Sequence, residues 1–143
     1  MYTGEYHYTL DEKGRLSIPA KMRQNKKAVF MVTRGLEKCL FVFNPKEWKI
    51  WEKKIFSLPT TKKEARSFSR FLLSGATECE VNELGRINIP LTLRQYAGIN
   101  KDAVIIGVGN RIEIWSKDNW ASFLLVEEKN FADAAENLVD LGI

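Results

Sequence analysis

Two arginines stand in the same local setting. Arg15 follows Asp11 by four residues and Arg86 follows Asn82 by four, each with a glycine directly before it, Gly14 or Gly85. Asp11 or Asn82 can accept hydrogen bonds from the backbone of the turn that follows, and the glycine supplies the left-handed conformation that closes it. The arginine is followed by a small hydrogen-bonding side chain two positions on, Ser17 or Asn88. An exposed guanidinium next to such a side chain suits phosphates and base edges. A plainer reading stands beside this one: Asp11 and Arg15 pair across their own hairpin, a surface contact of modest value.

The match extends beyond the arginines. Residues 11–23 (Asp-Glu-Lys-Gly-Arg-Leu-Ser-Ile-Pro-Ala-Lys-Met-Arg) and 82–94 (Asn-Glu-Leu-Gly-Arg-Ile-Asn-Ile-Pro-Leu-Thr-Leu-Arg) align at a constant offset of 71. That period is too long for a solenoid and fits two halves of one small domain. Each copy reads as a hairpin turn followed by a strand. Period-two alternation turns Leu16 and Ile18 inward and Arg15 and Ser17 outward, and it does the same for Ile87 and Ile89 against Arg86 and Asn88. Pro19 and Pro90 end the strands and suit the start of a short helix, with Lys21, Arg23 and Arg94 just beyond. Lys13 lies in the first turn. The two halves are expected to bring these elements together across a pseudo-two-fold axis.

The rest of the chain supplies a frame. Residues 5–10 read as the strand entering the first hairpin, residues 28–34 as a second strand and Leu36 to Phe43 as a third. Asn44-Pro45 signals a helix start, and Trp48, Trp51 and Ile55 form its buried stripe. Lys46, Lys49, Lys53 and Lys54 lie off that stripe and read as a solvated face. Leu58-Pro59 breaks the helix. Thr60 or Thr61 is the expected cap of the next, whose stripe is Ala65, Phe68 and Leu72, widened by Phe71. The second half repeats the plan: residues 77–81 mirror the entry strand, 103–108 mirror 28–33, and 111–115 mirror the Leu40 to Phe43 strand. Ser116 takes the place of Asn44, with Trp120 and Trp48 each four residues past the cap. A last amphipathic helix places Phe131, Ala134, Leu138 and Leu141 on one face.

Composition bounds the function. With 143 residues, 45% hydrophobic and 28% charged, the chain fits one soluble domain. It has no apolar run of transmembrane length, and Met1-Tyr2-Thr3-Gly4-Glu5 lacks the pattern of a signal peptide. Residues 127–143 hold five acidic side chains against Lys129, a net −4, which leaves the other 126 residues at +8 within a total of +4. A basic body suits a polyanionic partner. Cys39 and Cys79 have no paired spacing and read as two buried thiols in a cytoplasmic protein. No metal-ligand cluster, nucleophile elbow or phosphate loop is present. The lone His7 reads as structural, and Glu12 and Glu83 as solvated turn carboxylates. The expectation is a protein without catalysis, cofactor, metal or small-molecule substrate.

The paired motif, each copy followed by an apolar-x-apolar-Pro run, resembles the MraZ family. So do Tyr2-Thr3-Gly4-Glu5-Tyr6 before the first copy and Leu73-Ser74-Gly75-Ala76 before the second, and the similarity spans nearly the whole chain. The resemblance implies an α+β, mainly β fold: a double-split β-barrel of the AbrB/SpoVT-like swapped-hairpin type, made from two pseudo-symmetric halves with flanking helices. Its repeats would cover 5–47 and 76–119, with a helical connection at 48–75 and a helical tail at 120–143. It further implies a cytoplasmic, nucleoid-associated homo-oligomer, in rings. Such a protein would bind double-stranded DNA at repeated boxes upstream of the division and cell-wall gene cluster. Family motif residues carry over to Asp11, Arg15 and Arg86, and Lys13, Lys21, Arg23 and Arg94 are added as phosphate or edge contacts. Asn82 departs from the usual Asp, so the two halves need not contribute equally. The alternative is an antitoxin-like interaction module with only non-specific DNA affinity.

Overall fold

The computed structural model describes residues 1–25 and 27–143. Along the chain run β1 (Glu5–Thr9), β2 (Arg15–Ser17), β3 (Val29–Arg34), β4 (Leu40–Phe43), α1 (Pro45–Phe56) and α2 (Lys63–Gly75). They are followed by β5 (Thr77–Glu80), β6 (Arg86–Asn88), α3 (Leu91–Ala97), β7 (Asp102–Val108), β8 (Arg111–Ser116) and α4 (Lys117–Asn137). The fold is α+β. Six strands form one antiparallel sheet in the order β1-β7-β8-β4-β3-β5, and β2 pairs with β6 as a separate antiparallel ribbon. Edge strands β1 and β5 do not pair, so the hydrogen bonds close no barrel among the described residues. The ribbon is three residues deep on each side. Pro19 and Pro90 lack the donors that would lengthen it.

The halves are interleaved. β1 pairs with β7 of the second half, and β5 of the second half pairs with β3 of the first. Equivalent pairs are Tyr8 with Ala103 and Cys79 with Phe30, so Ala103 takes the place of Phe30 and not, as expected from the sequence, of Ala28. At the centre, Leu16 faces Ile87 in the ribbon and Phe41 faces Glu113 between β4 and β8.

Caps and alternation explain most elements. Asn44 Oδ1 accepts from Glu47 N at 2.9 Å and Ser116 Oγ from Asn119 N at 3.1 Å, so α1 and α4 start at equivalent caps. Three expectations are corrected. Leu36–Lys38 is a 3-10 turn rather than strand, with Glu37 and Lys38 at φ 65° and 63° and Gly35 N donating to Cys39 O. The reversal between β3 and β4 has to be made there, so the apolar run cannot stay extended. α2 begins after Lys62, with no side-chain cap from Thr60 or Thr61, because a turn closed by Lys62 N to Pro59 O precedes it. Its buried side is centred on Leu72, while Phe68 and Phe71 are exposed. Phe71 instead lies under the Arg34 guanidinium, 4.5 Å from Arg34 Cζ to the ring centroid, and against Tyr96.

Two cores hold the layers together. Leu16, Ile18, Ile87 and Ile89 pack with Phe30, Val32, Leu40, Val42, Ile112 and Ile114 between ribbon and sheet. On the other side of β4 and β8, Phe41, Phe43 and Trp115 pack with Trp48 of α1 and Trp120 of α4. Strand β4 is therefore covered on both faces, which is why Leu-Phe-Val-Phe is apolar without alternation. Cys39 and Cys79 are separate buried thiols. Burial pushes both thiols up, Cys79 to about 11, so neither offers a thiolate near neutral pH.

Candidate nucleic-acid interface

The β2–β6 register sets the site. Arg15 lies opposite Asn88 and Ser17 opposite Arg86, with the core pair Leu16–Ile87 between them. Directly opposed residues point to the same side of a ladder. Both arginines, Ser17 and Asn88 therefore share the outer face, around the pseudo-two-fold axis. Leu16 and Ile87 are completely buried beneath them, which fixes the ribbon's position.

The turns hold this face by the same hydrogen bonds in each half. Asp11 Oδ1 accepts from the backbone N of Lys13 at 3.0 Å and of Arg15 at 2.9 Å. Asn82 Oδ1 accepts from Leu84 N at 3.0 Å and Arg86 N at 2.9 Å. Gly14 and Gly85 sit at φ +79° and +77°, where other residues are strained. A guanidinium also lies close over each: a β-carbon on Gly14 would lie 2.7 Å from Arg94 Cζ, and one on Gly85 2.9 Å from Arg23 Cζ, so the arginine end would have to shift. Each of these arginines reaches over the glycine of the other half's turn. Each also donates from Nε to its own strand end, Arg23 to Ile18 O and Arg94 to Ile89 O, both at 2.9 Å. Arg23 and Arg94 are thus anchored on their own strand ends and packed over the opposite hairpin.

The symmetry fails at one atom. Asp11 Oδ2 accepts from Arg15 Nε at 2.6 Å and, across the axis, from Arg86 Nη1 at 3.2 Å. The hairpin pairing of Asp11 with Arg15 is therefore formed, and the carboxylate also serves the second half. Asn82 has no second oxygen, and its Oδ1 already serves two backbone amides. Arg86 Nε, the counterpart of Arg15 Nε, is buried without a hydrogen-bond partner among the described residues. The Asp11 carboxyl is held below the ordinary carboxylate value. The main cause is the Arg15 backbone N–H, opposed by burial and reinforced by the Arg15 guanidinium and the Lys13 amide. Two guanidiniums thus share one carboxylate, leaving one excess positive charge at the axis. Asn82→Asp is expected to raise the unfolding free energy by about 1 kcal/mol, the scale of one hydrogen bond gained by a buried donor. Urea unfolding measures this, and a loss of stability would show that repulsion from Asp11 outweighs the new bond.

The remaining positions lie around this cluster. Lys13 is exposed in the first turn, and Lys21 is exposed on the 3-10 turn Ala20–Met22. The place of Lys13 is taken in the second half by Leu84, 73% exposed, which the motif alone does not mark as a surface residue. The lysines of α1 belong to another element and are exposed there. His7 pairs at the surface with Glu5, 2.7 Å away, and is not part of the cluster.

One family model, described as "MraZ protein, putative antitoxin-like", matches residues 1–71 and again 72–142. The chain belongs to the MraZ family. Relatives agree over their full length. A protein of Ligilactobacillus salivarius named Transcriptional regulator MraZ is 51% identical over 143 residues, covering all of both chains. One of Natranaerobius thermophilus with the same name is 50% identical, again over all of both. The change from one family match to the next falls inside α2, between Phe71 and Leu72.

Proposed function

We propose that this protein is a sequence-specific DNA-binding transcriptional regulator that meets duplex DNA with the outer face of the β2–β6 ribbon. The observation that carries the reading is the arrangement of Arg15, Arg86, Ser17 and Asn88 on one face over a fully buried pair. Donors held on so stiff a base lose little freedom on binding. Arginines suit guanine edges and phosphates, and asparagine suits an adenine edge. The names of the two relatives support the regulatory role. The interleaved first strands support the swapped-hairpin, double-split type of fold, with repeats at 5–47 and 76–119. α4 runs unbroken from Lys117, across the boundary between the second repeat and the tail.

In this reading Asp11 orients the two arginines, Arg15 and Arg86 contact the DNA, and Lys13 and Lys21 contact phosphates. Arg23 and Arg94 pack over the hairpins and offer their outer N–H groups at the margins. The protein acts without chemistry or cofactor, as a cytoplasmic, nucleoid-associated homo-oligomer in rings. Repeated boxes upstream of the division and cell-wall genes then let several weak contacts act together.

The test is a salt-titrated binding assay on DNA upstream of the protein's own gene and on scrambled DNA. Each phosphate contact contributes about 0.9 to the slope of log K against log salt. Lys13→Ala and Lys21→Ala are each expected to weaken binding to both DNAs and to lower the slope by roughly one. An unchanged slope would remove these lysines from the interface. Equal affinity for both DNAs, with another protein bound in a defined ratio, would favour the antitoxin-like module over this reading.

A further inference from the structure

The two hairpins match in backbone and differ at their tips. Gly14 N donates to Asp11 O and Gly85 N to Asn82 O, both at 3.0 Å. The ribbon ladder runs on past its two strands, with Ile18 N bonded to Gly85 O at 2.9 Å and Ile89 N to Gly14 O at 3.0 Å. Gly14 and Gly85 therefore mark opposite ends of the ribbon, four residues apart along it, about 13 Å at the usual strand rise. The residue before each glycine stands at one of those ends and is exposed: Lys13 at the first, Leu84 at the second.

Leu84 is the odd member of this pair. Lys13 can neutralise a phosphate, and an isobutyl group cannot. Glu12 and Glu83 are both exposed, but Glu12 has Lys13 beside it and Glu83 has Leu84. The second tip is thus an apolar side chain next to a carboxylate, a poor seat for the DNA backbone. One exposed leucine is ordinary on a protein surface. This one differs in its place. Its backbone N donates to Asn82 Oδ1 at 3.0 Å, so it sits on a fixed turn, two residues from Arg86. The major groove is about 12 Å wide and admits a two-stranded ribbon. The base-pair edges exposed there carry an apolar group, the thymine methyl.

We propose that Leu84 reads a thymine methyl in the major groove, at the end of the ribbon opposite the phosphate contact of Lys13. The inference rests on the DNA-binding reading above and adds a specificity-determining residue to it. The two halves then ask different things of the duplex: negative charge at one end, a methyl group at the other. A pseudo-symmetric ribbon so equipped takes the duplex in one orientation, with a T·A pair required under the second hairpin and not under the first.

Replacing thymine by deoxyuridine removes the methyl and keeps the base pair, so the DNA itself supplies the test. Anisotropy titrations compare the parent, Leu84→Ala and Lys13→Ala on duplex from upstream of the gene, on scrambled duplex, and on upstream duplexes with one thymine at a time replaced. The turn uses only the backbone N–H of Leu84, whose side chain is 73% exposed, so Leu84→Ala keeps the hairpin, and far-ultraviolet circular dichroism checks the fold. For the parent, replacement at one thymine position is expected to raise Kd about fourfold, the ratio for one methyl group taken out of water. Leu84→Ala is expected to bind the unmodified duplex more weakly and to be indifferent to that replacement. Lys13→Ala is expected to keep the fourfold response. A parent with no preference for upstream over scrambled duplex would overturn the DNA-binding reading and this inference with it. A parent that prefers the upstream duplex but responds to no replacement would overturn the role of Leu84 alone. So would a response that persists in Leu84→Ala, or one that Lys13→Ala abolishes equally.

Discussion

Arg15→Ala is expected to lower affinity for the preferred duplex by about 1–3 kcal/mol, the range for losing one bidentate base contact. This is roughly a five- to 140-fold rise in Kd. Arg15 is the better placed of the two arginines. Its side chain is 34% exposed against 23% for Arg86. It binds Asp11 through Nε, so its Nη groups stay available on the outer face. Arg86 ties Nη1 to Asp11 and keeps Nε buried. The loss should be smaller on scrambled DNA, where Arg15 contributes charge but no base recognition. Anisotropy titrations on both duplexes at one salt concentration measure the difference. Unchanged affinity for the preferred duplex would remove Arg15 from the reading role.

Phe43→Ala is expected to cost about 3–5 kcal/mol of stability, the range for truncating a buried phenylalanine. Phe43 is completely buried, with ring centroids 4.9 Å from Trp51 and 5.7 Å from Trp48. Its loss opens a cavity where α1 meets β4, and neighbours this large can refill it only in part. Urea unfolding reads the change, with exposed Lys49→Ala expected within about 0.5 kcal/mol of the parent as a control. A small loss at Phe43 would mean that α1 is not held to the sheet by this aromatic cluster.

Much of this architecture is written locally and can be read from the chain. The Asx turns at Asp11 and Asn82, the inward Leu16, Ile18, Ile87 and Ile89, and the caps at Asn44 and Ser116 depend on residues at most five positions apart. The long-range features are different. The bond from Arg86 to Asp11 spans 75 residues. It exists because β2 and β6 pair across the axis. Separation in sequence likewise hides Arg23 and Arg94, whose guanidiniums lie over Gly85 and Gly14 of the opposite turns. Leu36–Lys38 misleads because left-handed φ values at Glu37 and Lys38 occur without the glycine or asparagine that usually marks them. Phe68 and Phe71 share a helical stripe with Leu72, yet they lie outside the core because α2 seats that stripe on the sheet only at its Leu72 end. Asn82 is legible as a departure, but its consequence, an unpartnered Arg86 Nε, needs the folded geometry.

In the proposed reading, DNA meets the paired hairpins and not the lysine-rich α1 helix. Hydrogen exchange followed by mass spectrometry, with and without duplex from upstream of the gene, compares the two surfaces directly. Slowed exchange in peptides covering residues 11–23 and 82–94, with little change in 45–56, is the predicted result. Protection confined to 45–56, with the hairpins exchanging as in the free protein, would contradict it.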